Sequence, residues 1–234
     1  MILISAFFKN LQEAQKALAK DAIFLFDIHQ VIFHRKGLFP FFRGFKKTQK
    51  KSLVIRQGLR ALIHPETWKT LTKRLKEQNH ITESYLDAAK QFPFLHNELL
   101  EFSNNIYTPN QSMKTIFKIL SERGHKMYLL SNIGNATLKK LKLDYPDYFA
   151  YLTETENLIN RTINTDNLVW KPQMDAYQQA LKVIGQKETA HLTLFVDDKL
   201  KNVHAAHKAG INAIKFCNQA QFEQDLKKIM GIVL

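Results

Sequence analysis

The chain has 234 residues, of which 45% are hydrophobic and 24% charged, and its formal net charge is +13. This composition is typical of a soluble globular protein with one good core and room for a smaller second domain. The single cysteine, Cys217, excludes an internal disulfide and a cysteine-rich metal site, so a reducing cytoplasm is the expected compartment. The apolar run Met1–Phe8 lacks a basic flank and falls short of the ~20 residues that span a bilayer, so we expect neither a signal peptide nor a transmembrane segment.

Four short apolar runs are typical of buried parallel strands. They are Ala22–Phe26, Lys126–Leu130, Leu192–Val196 and, more weakly, Ala213–Phe216. Polar residues follow the first three runs, namely Asp27, Ser131-Asn132 and Asp197-Asp198. Ligands bind beyond the carboxyl ends of the strands in an open parallel α/β sheet. We therefore expect three strands to bring these polar residues to one edge.

Amphipathic helices are predicted between the strands, each followed by a glycine that can cap its carboxyl end. They are Met113–Arg123 before Gly124, Asp175–Ile184 before Gly185, and Lys201–Ala209 before Gly210. This alternation predicts an α/β fold whose core is a doubly wound, Rossmann-like parallel sheet with right-handed crossovers.

A long insertion separates the first strand from the helix at Met113. Four helices are predicted in it, near Ser52–Ile63, Glu66–Gln78, Thr82–Phe92 and His96–Asn105. A structureless connection of that length is unusual in a compact domain, so we interpret the insertion as an α-helical cap domain. The predicted boundaries are 1–33 and 110–234 for the core domain and 34–109 for the cap.

The predicted cap is strongly basic. From His34 to Ser112 the chain has 14 Lys/Arg and 6 Asp/Glu, a surplus of 8 positive charges that attracts anions of many kinds. The stretch Phe39–Lys47 mixes aromatic and cationic residues, as surfaces that bind nucleic acids or acidic membranes do. A loop that packs and hinges the cap, with its cations in solvent, explains the same pattern. Contact with a protein, nucleic acid or acidic membrane is therefore a hypothesis only.

Several of the polar residues after the strands have the chemistry of phosphoryl transfer. A carboxylate at Asp27 can attack phosphorus and form an aspartyl phosphate, although an isolated aspartate there is more often a cap or turn residue. Ser131 and Asn132 can hold a phosphoryl oxygen, although this pair is common in turns. Lys171, before Pro172, can neutralise the nucleophile or the phosphoryl group, although an isolated lysine is usually solvated.

The pair Asp197-Asp198 indicates a metal. Adjacent carboxylates at a strand end repel each other, and a cation between them removes that cost. Their hard oxygen ligands suit Mg²⁺. A helix N-cap accounts for one of the two residues but not for both. The pair therefore predicts a Mg²⁺ site.

The order of these motifs resembles that of the haloacid dehalogenase (HAD) superfamily of hydrolases, with a helical cap inserted after the first strand. The matching segments are Phe26–Val31, Leu129–Asn132, Tyr145–Asp147, Lys171-Pro172, and Asp197-Asp198 followed by Asn202, Ala205, Gly210 and Ile211. The branch that they resemble most is that of the bacterial sugar-phosphate phosphatases related to α-glucose-1-phosphate phosphatase. The resemblance covers the core well and the cap only by position and length.

The resemblance implies a Mg²⁺-dependent phosphatase that acts on a small phosphorylated metabolite. Asp27 would be the nucleophile, and Asn202 would position Lys171. The implied phosphate ligands are Ser131, Asn132 and Lys171. The implied metal ligands are Asp27, Asp197, Asp198 as the main carboxylate, and His29 through its backbone carbonyl. The metal would screen anions that otherwise repel each other.

His29 departs from the family pattern. Most phosphatases of this superfamily have a second aspartate two residues after the nucleophile, where it protonates the leaving oxygen and later activates water. An imidazole with a pKa near ~6.5 can do the same work, and a packed histidine without a chemical role fits equally well. The carbon–halogen enzymes favour tyrosine here and use no metal. The alternative to a phosphatase is a catalytically impaired HAD-fold protein whose basic cap binds a partner.

Overall fold

The protein is described by a computed structural model. The described residues are 1–5, 9–35, 51–63, 66, 91–94, 107–133, 135–161 and 169–231. The aromatic and basic stretch Phe39–Lys47 lies outside them, and so, largely or wholly, do the predicted helices Glu66–Gln78, Thr82–Phe92 and His96–Asn105. The remaining predicted cap helix is α2, Lys51–Ile63.

A five-stranded sheet has the order β1-β7-β6-β2-β5. Its strands are β1 (Ile2–Leu3), β2 (Ile23–Phe26), β5 (Lys126–Leu129), β6 (Thr193–Asp197) and β7 (Asn212–Lys215). All pairs are parallel except β1 with β7, which confirms the predicted α/β class and adds an antiparallel edge strand that the sequence did not predict. Two short strands, β3 (Phe33–Arg35) and β4 (Tyr107–Pro109), form a second sheet.

Helices cover both faces of the large sheet because its strands are apolar on both sides. Alternate residues such as Leu25 and Phe195 pack in one core cluster with residues of two helices, α6 (Met174–Val183) and α7 (Leu200–Lys208). Two helices cover the opposite face, α3 (Gln111–Glu122) and α8 (Gln219–Met230). There the ring of Phe26 contacts Phe117 of α3 and Phe222 of α8. The result is the predicted doubly wound arrangement.

Helix termini follow the sequence signals where those exist. The three predicted helices are α3, α6 and α7, and the glycines that follow them, Gly124, Gly185 and Gly210, have φ angles of 80°, 70° and 84°. Such angles suit glycine, which has no Cβ to clash. Among the described residues, four further α-helices were not predicted: α1 (Leu11–Asp21), α4 (Asn135–Asp144), the short α5 (Leu158–Arg161) and α8.

The chain divides into two compact units. The first comprises Met1–His34, Pro109–Asn132 and Tyr145–Leu234, and the second comprises Arg35–Thr108 and Ile133–Asp144. The large sheet belongs to the first unit, whereas α2 and α4 belong to the second. Within the described ranges, every helix is too short or too polar to cross a lipid bilayer. The boundaries of a core and a cap stay a prediction.

His125, which precedes β5, is buried, and its ring nitrogen Nδ1 lies 3.1 Å from the carbonyl oxygen of Ala22. Burial lowers its pKa below the usual 6.5, so the folded protein holds this ring neutral. We expect the free energy of unfolding to fall as the pH drops below ~6.5, because the unfolded chain then binds the proton more strongly. His125→Asn, which keeps a donor but cannot titrate, should give a flatter pH profile in urea denaturation. Equal slopes for both proteins would contradict this.

Candidate active site

Asp27 lies where strand β2 ends, between two neighbouring strands. Its backbone N–H donates to the carbonyl of Val196 in β6 over 2.9 Å, and its side chain is buried. Carboxylate oxygen Oδ1 accepts a hydrogen bond from Lys171, whereas Oδ2 accepts none from the described residues. The interior strands therefore fix the Asp27 backbone and leave one carboxylate oxygen available for chemistry.

Lys171 is an almost fully buried cation, and its ammonium is held between two carboxylates. Nζ donates to Asp27 Oδ1 over 2.9 Å and to Asp197 Oδ2 over 2.6 Å. It also lies 4.9 Å from the centre of the Phe195 ring. Burial lowers the pKa of this ammonium, but the charges of Asp197 and Asp27 outweigh burial and raise it. Lys171 is therefore a fixed positive charge with one donor left for a ligand.

Asp197 uses both of its oxygens within the protein. Besides Lys171, they accept hydrogen bonds from Asn202 Nδ2, over 2.9 and 3.0 Å, and from the backbone N–H of Lys199, over 2.7 Å. The hydroxyl of Tyr177 donates to the carbonyl of Asn202 over 2.9 Å. Asn202 thus donates to Asp197 and, among the described residues, makes no hydrogen bond to Lys171. The predicted positioning of Lys171 by Asn202 would act through that carboxylate.

Asp198 is half-buried, and its environment favours a cation. Among the described residues, no group donates a hydrogen bond to its Oδ1, although this oxygen is buried. Burial and the charges of Asp27 and Asp197 raise its pKa to about 6. Carboxylate oxygens of Asp27, Asp197 and Asp198 lie within 4.8 Å of one another. An unpartnered buried oxygen within an all-carboxylate donor set fits a hard divalent cation.

Ser131 follows β5 and is fully buried. Its hydroxyl oxygen lies 3.5 Å from His29 Nδ1, so the structure brings these two predicted residues together. Its backbone is held by Asn157: Ser131 N–H donates to Asn157 Oδ1 over 2.9 Å, and Asn157 Nδ2 donates to the Ser131 carbonyl over 2.5 Å. The Ser131 hydroxyl, not its backbone N–H, is therefore the group available to a ligand.

Asn132 forms a similar pair with the backbone of Lys171. Its Nδ2 donates to the Lys171 carbonyl over 2.8 Å, and its Oδ1 accepts from Lys171 N–H over 3.1 Å. Because the side-chain amide is engaged in this way, the group that Asn132 can offer to a phosphoryl oxygen is its backbone N–H, which has no acceptor among the described residues. Its side chain fixes the loop that carries Lys171.

All the predicted site residues lie at one end of the sheet or contact residues that do, while their chemical roles stay predictions. Sequence reasoning missed Asn157 and Tyr177. Tyr177 occupies a buried position on a predicted helix, where it is indistinguishable from an ordinary core aromatic. Asn157 is the last of the five polar residues 153–157 before the apolar pair Leu158-Ile159, and that signal is weak.

Comparison with known proteins gave no match to any protein-family model. The chain is 22% identical over 178 residues to a sesquiterpene phosphatase from Aspergillus oryzae, an alignment that covers 75% of this chain and 85% of that protein.

Solved structures give the fold. A HAD-family enzyme from Bacteroides thetaiotaomicron superposes with a TM-score of 0.58 at 17% identity, covering 83% of this chain and 92% of that one. Its complex with magnesium and inorganic phosphate gives 0.56 at 15% identity, with coverage of 86% and 98%. L-2-haloacid dehalogenase from Xanthobacter autotrophicus, with chloropropionic acid covalently bound, gives 0.53 at 16% identity, with coverage of 88% and 82%. The chain has the fold of the haloacid dehalogenase superfamily, with a Rossmann-like core.

Proposed function

We propose that the protein is a Mg²⁺-dependent phosphatase that hydrolyses a small phosphate monoester through an aspartyl phosphate on Asp27. The observation that carries this proposal is the charge at the end of the sheet. Three carboxylates, those of Asp27, Asp197 and Asp198, face one ammonium, that of Lys171, so the cluster has two excess negative charges when all are ionised. This excess charge repels a phosphate dianion, and a divalent cation bound by the carboxylates would remove that repulsion.

Asp27 and Asp198 are the residues that would hold Mg²⁺, with Asp197 beside them and the backbone carbonyl of His29 as a further predicted ligand. When bound, the metal would screen the nucleophile from the phosphoryl oxygens and stabilise charge in the transition state. The complex of the Bacteroides enzyme with magnesium and phosphate supports this choice of ion. So does the unpartnered oxygen of Asp198.

The residues of the chain supply the remaining steps. Asp27 Oδ2 attacks phosphorus, and the bond from phosphorus to the leaving oxygen breaks as the new one forms. Lys171, Ser131 Oγ and Asn132 N–H hold the phosphoryl oxygens during this transfer. Water then attacks the same phosphorus, which releases inorganic phosphate and restores the Asp27 carboxylate. The leaving oxygen takes up one proton and the attacking water loses one.

An activity assay tests the proposal. Purified protein should hydrolyse p-nitrophenyl phosphate with Mg²⁺ and should lose that activity in EDTA. Because haloacid dehalogenases share the fold, halide release from L-2-chloropropionate should be measured alongside, and none is expected. Halide release without added metal would overturn the proposal. Inactivity on a panel of phosphorylated sugars, nucleotides and isoprenoid phosphates would favour the partner-binding alternative.

The two adjacent aspartates should differ in their effect on metal binding. Asp198→Ala is expected to weaken Mg²⁺ binding by at least ~10-fold. Loss of a metal ligand should lower the affinity at least as much as loss of a residue that only supports a ligand, which typically costs ~10-fold or more. Asp197→Ala should weaken it less but lower stability more, since Asp197 already accepts four hydrogen bonds from the protein. Mg²⁺ titrations followed by thermal unfolding measure both quantities, with Asp197→Asn as a milder variant. Equal or reversed losses of affinity would contradict this assignment.

His29 is proposed to donate the proton to the leaving group. Its loss should hurt alkyl phosphates, whose alkoxides leave poorly, by ~10²–10⁴-fold, and should spare the phosphorylation step of p-nitrophenyl phosphate. We expect His29→Ala to show this difference in pre-steady-state bursts with both substrates. His29→Asp, which restores the usual carboxylate of the family, should recover alkyl turnover. Equal burst rates in wild type and His29→Ala on both substrates would make His29 structural.

A further inference from the structure

Asn157 belongs to none of the motifs that the sequence predicts, yet it is fully buried beside a proposed phosphate ligand. The chain before it runs along the free side of β5. There Met127 N–H donates to Thr153 Oγ1 and Thr153 N–H donates to the Met127 carbonyl, each over 2.9 Å. An isolated parallel bridge then pairs Leu129 with Asn157. Strand β5 pairs with β2 on one side, and this segment, residues 153–157, lies along its other side.

The side chain of Asn157 continues this pairing beyond the last residue of β5. A carboxamide has the same donor and acceptor as a peptide group, and here it engages both the N–H and the carbonyl of Ser131. These bonds satisfy two buried backbone groups at the point where the strand ladder stops. Leaving buried backbone groups without a hydrogen-bond partner is unfavourable, so the pair fixes the Ser131 backbone.

We propose that Asn157 is a positioning residue for phosphate binding, which acts by fixing the Ser131 backbone so that the Ser131 hydroxyl and the N–H of Asn132 face the phosphoryl group. This inference rests on the phosphatase function proposed above. Asn157 has no contact with the three carboxylates among the described residues, so its effect on phosphate binding should be separable from metal binding.

The test compares Asn157→Leu with a matched control, Asn212→Leu. Asn212 is also fully buried and also bonds backbone groups with its carboxamide: it accepts from Ser5 N–H over 2.8 Å and donates to the His191 and Thr193 carbonyls over 2.5 and 3.2 Å. Asn212 is the first residue of β7 and pairs with Leu194 of β6, whereas Asp197 pairs with Lys215 at the other end of β7, so the control lies at the end of the sheet away from the site. Both variants lose the same hydrogen-bonding groups at similar burial, so both should lose stability.

Only Asn157→Leu should change phosphate binding. We expect the inhibition constant of inorganic phosphate against p-nitrophenyl phosphate to rise at least ~10-fold, while the Mg²⁺ affinity without phosphate stays within twofold. Asn212→Leu should leave both constants unchanged. If Asn157→Leu does not fold, Asn157→Ser serves instead, because it is smaller, carries no charge and cannot reach both backbone groups of Ser131. It should raise the inhibition constant, while Asn212→Ser does not.

Two failures can be told apart. Equal effects of the Asn157 and Asn212 variants in an active protein would overturn the positioning role and leave the phosphatase proposal intact. A wild-type protein that neither hydrolyses p-nitrophenyl phosphate nor binds inorganic phosphate with Mg²⁺ would overturn both.

Discussion

Asp27→Asn is expected to abolish phosphatase activity, with a loss on the order of 10⁶-fold, the scale seen when the nucleophile of a covalent hydrolase is removed. A carboxamide is nearly isosteric with the carboxylate but cannot form the acyl phosphate. Its oxygen can still accept the hydrogen bond from Lys171, so the fold should persist. One of the two carboxylates around the ammonium also remains, since Asp197 is untouched.

Initial rates on aryl and alkyl phosphates measure this loss, and acid quenching with radiolabelled substrate detects the phosphorylated protein. The matched control is Asp175→Asn, which makes the same change at an exposed position in the first turn of α6 and should leave the rate within twofold. Label should appear on the wild type and on the control but not on Asp27→Asn. Substantial turnover by Asp27→Asn would remove the covalent mechanism.

Lys171→Met is expected to lower both activity and stability sharply. It removes the ammonium from between Asp27 and Asp197 and leaves two buried carboxylates without a counter-charge. Breaking a buried ion pair by removing one partner typically costs ~3–5 kcal/mol. Because the Lys171 pKa is raised above 10.5, its stabilising contribution is present below that pH and is lost only as the pH rises through the folded-state value. Lys171 itself is therefore charged throughout neutral pH, but the buried carboxylates of the variant bind a proton more readily, so the loss should become smaller as the pH falls.

Two comparisons isolate the buried charge. Lys114→Met breaks an ion pair of the same length, 2.6 Å to Asp147, but with both side chains exposed, so urea denaturation should register little change in stability. The double variant Lys171→Met/Asp197→Asn removes one of the two carboxylates that lack a counter-charge. It should recover part of the stability that Lys171→Met loses, without recovering activity. A double variant as unstable as Lys171→Met alone would show that packing, not charge, causes the loss.

The parts of the site that the sequence predicted are those set by local pattern. Apolar runs ending in Asp27, Ser131 and Asp197 identify three strand ends, and parallel pairing brings such ends together. The Asn132–Lys171 and Asn157–Ser131 pairs could not be predicted, because they depend on which loops meet after folding. The strand β1 was missed for another reason: two residues are too few for a recognisable alternation, and their role as an edge depends on β7.

The sheet order also predicts which parts of the site are held more firmly than others. Asp27 and Asp197 come from β2 and β6, interior strands paired on both sides, whereas Ser131 follows the edge strand β5. Among the described residues, the outer side of β5 is covered by residues 153–157 alone. Segments with fewer long-range contacts open locally at lower free energy than the core. Gentle warming should therefore loosen the segment after β5 that carries Ser131 before it disturbs the cluster of Asp27, Asp197 and Asp198. On the proposed function, the warmed protein would then still bind Mg²⁺ after its affinity for phosphate has fallen.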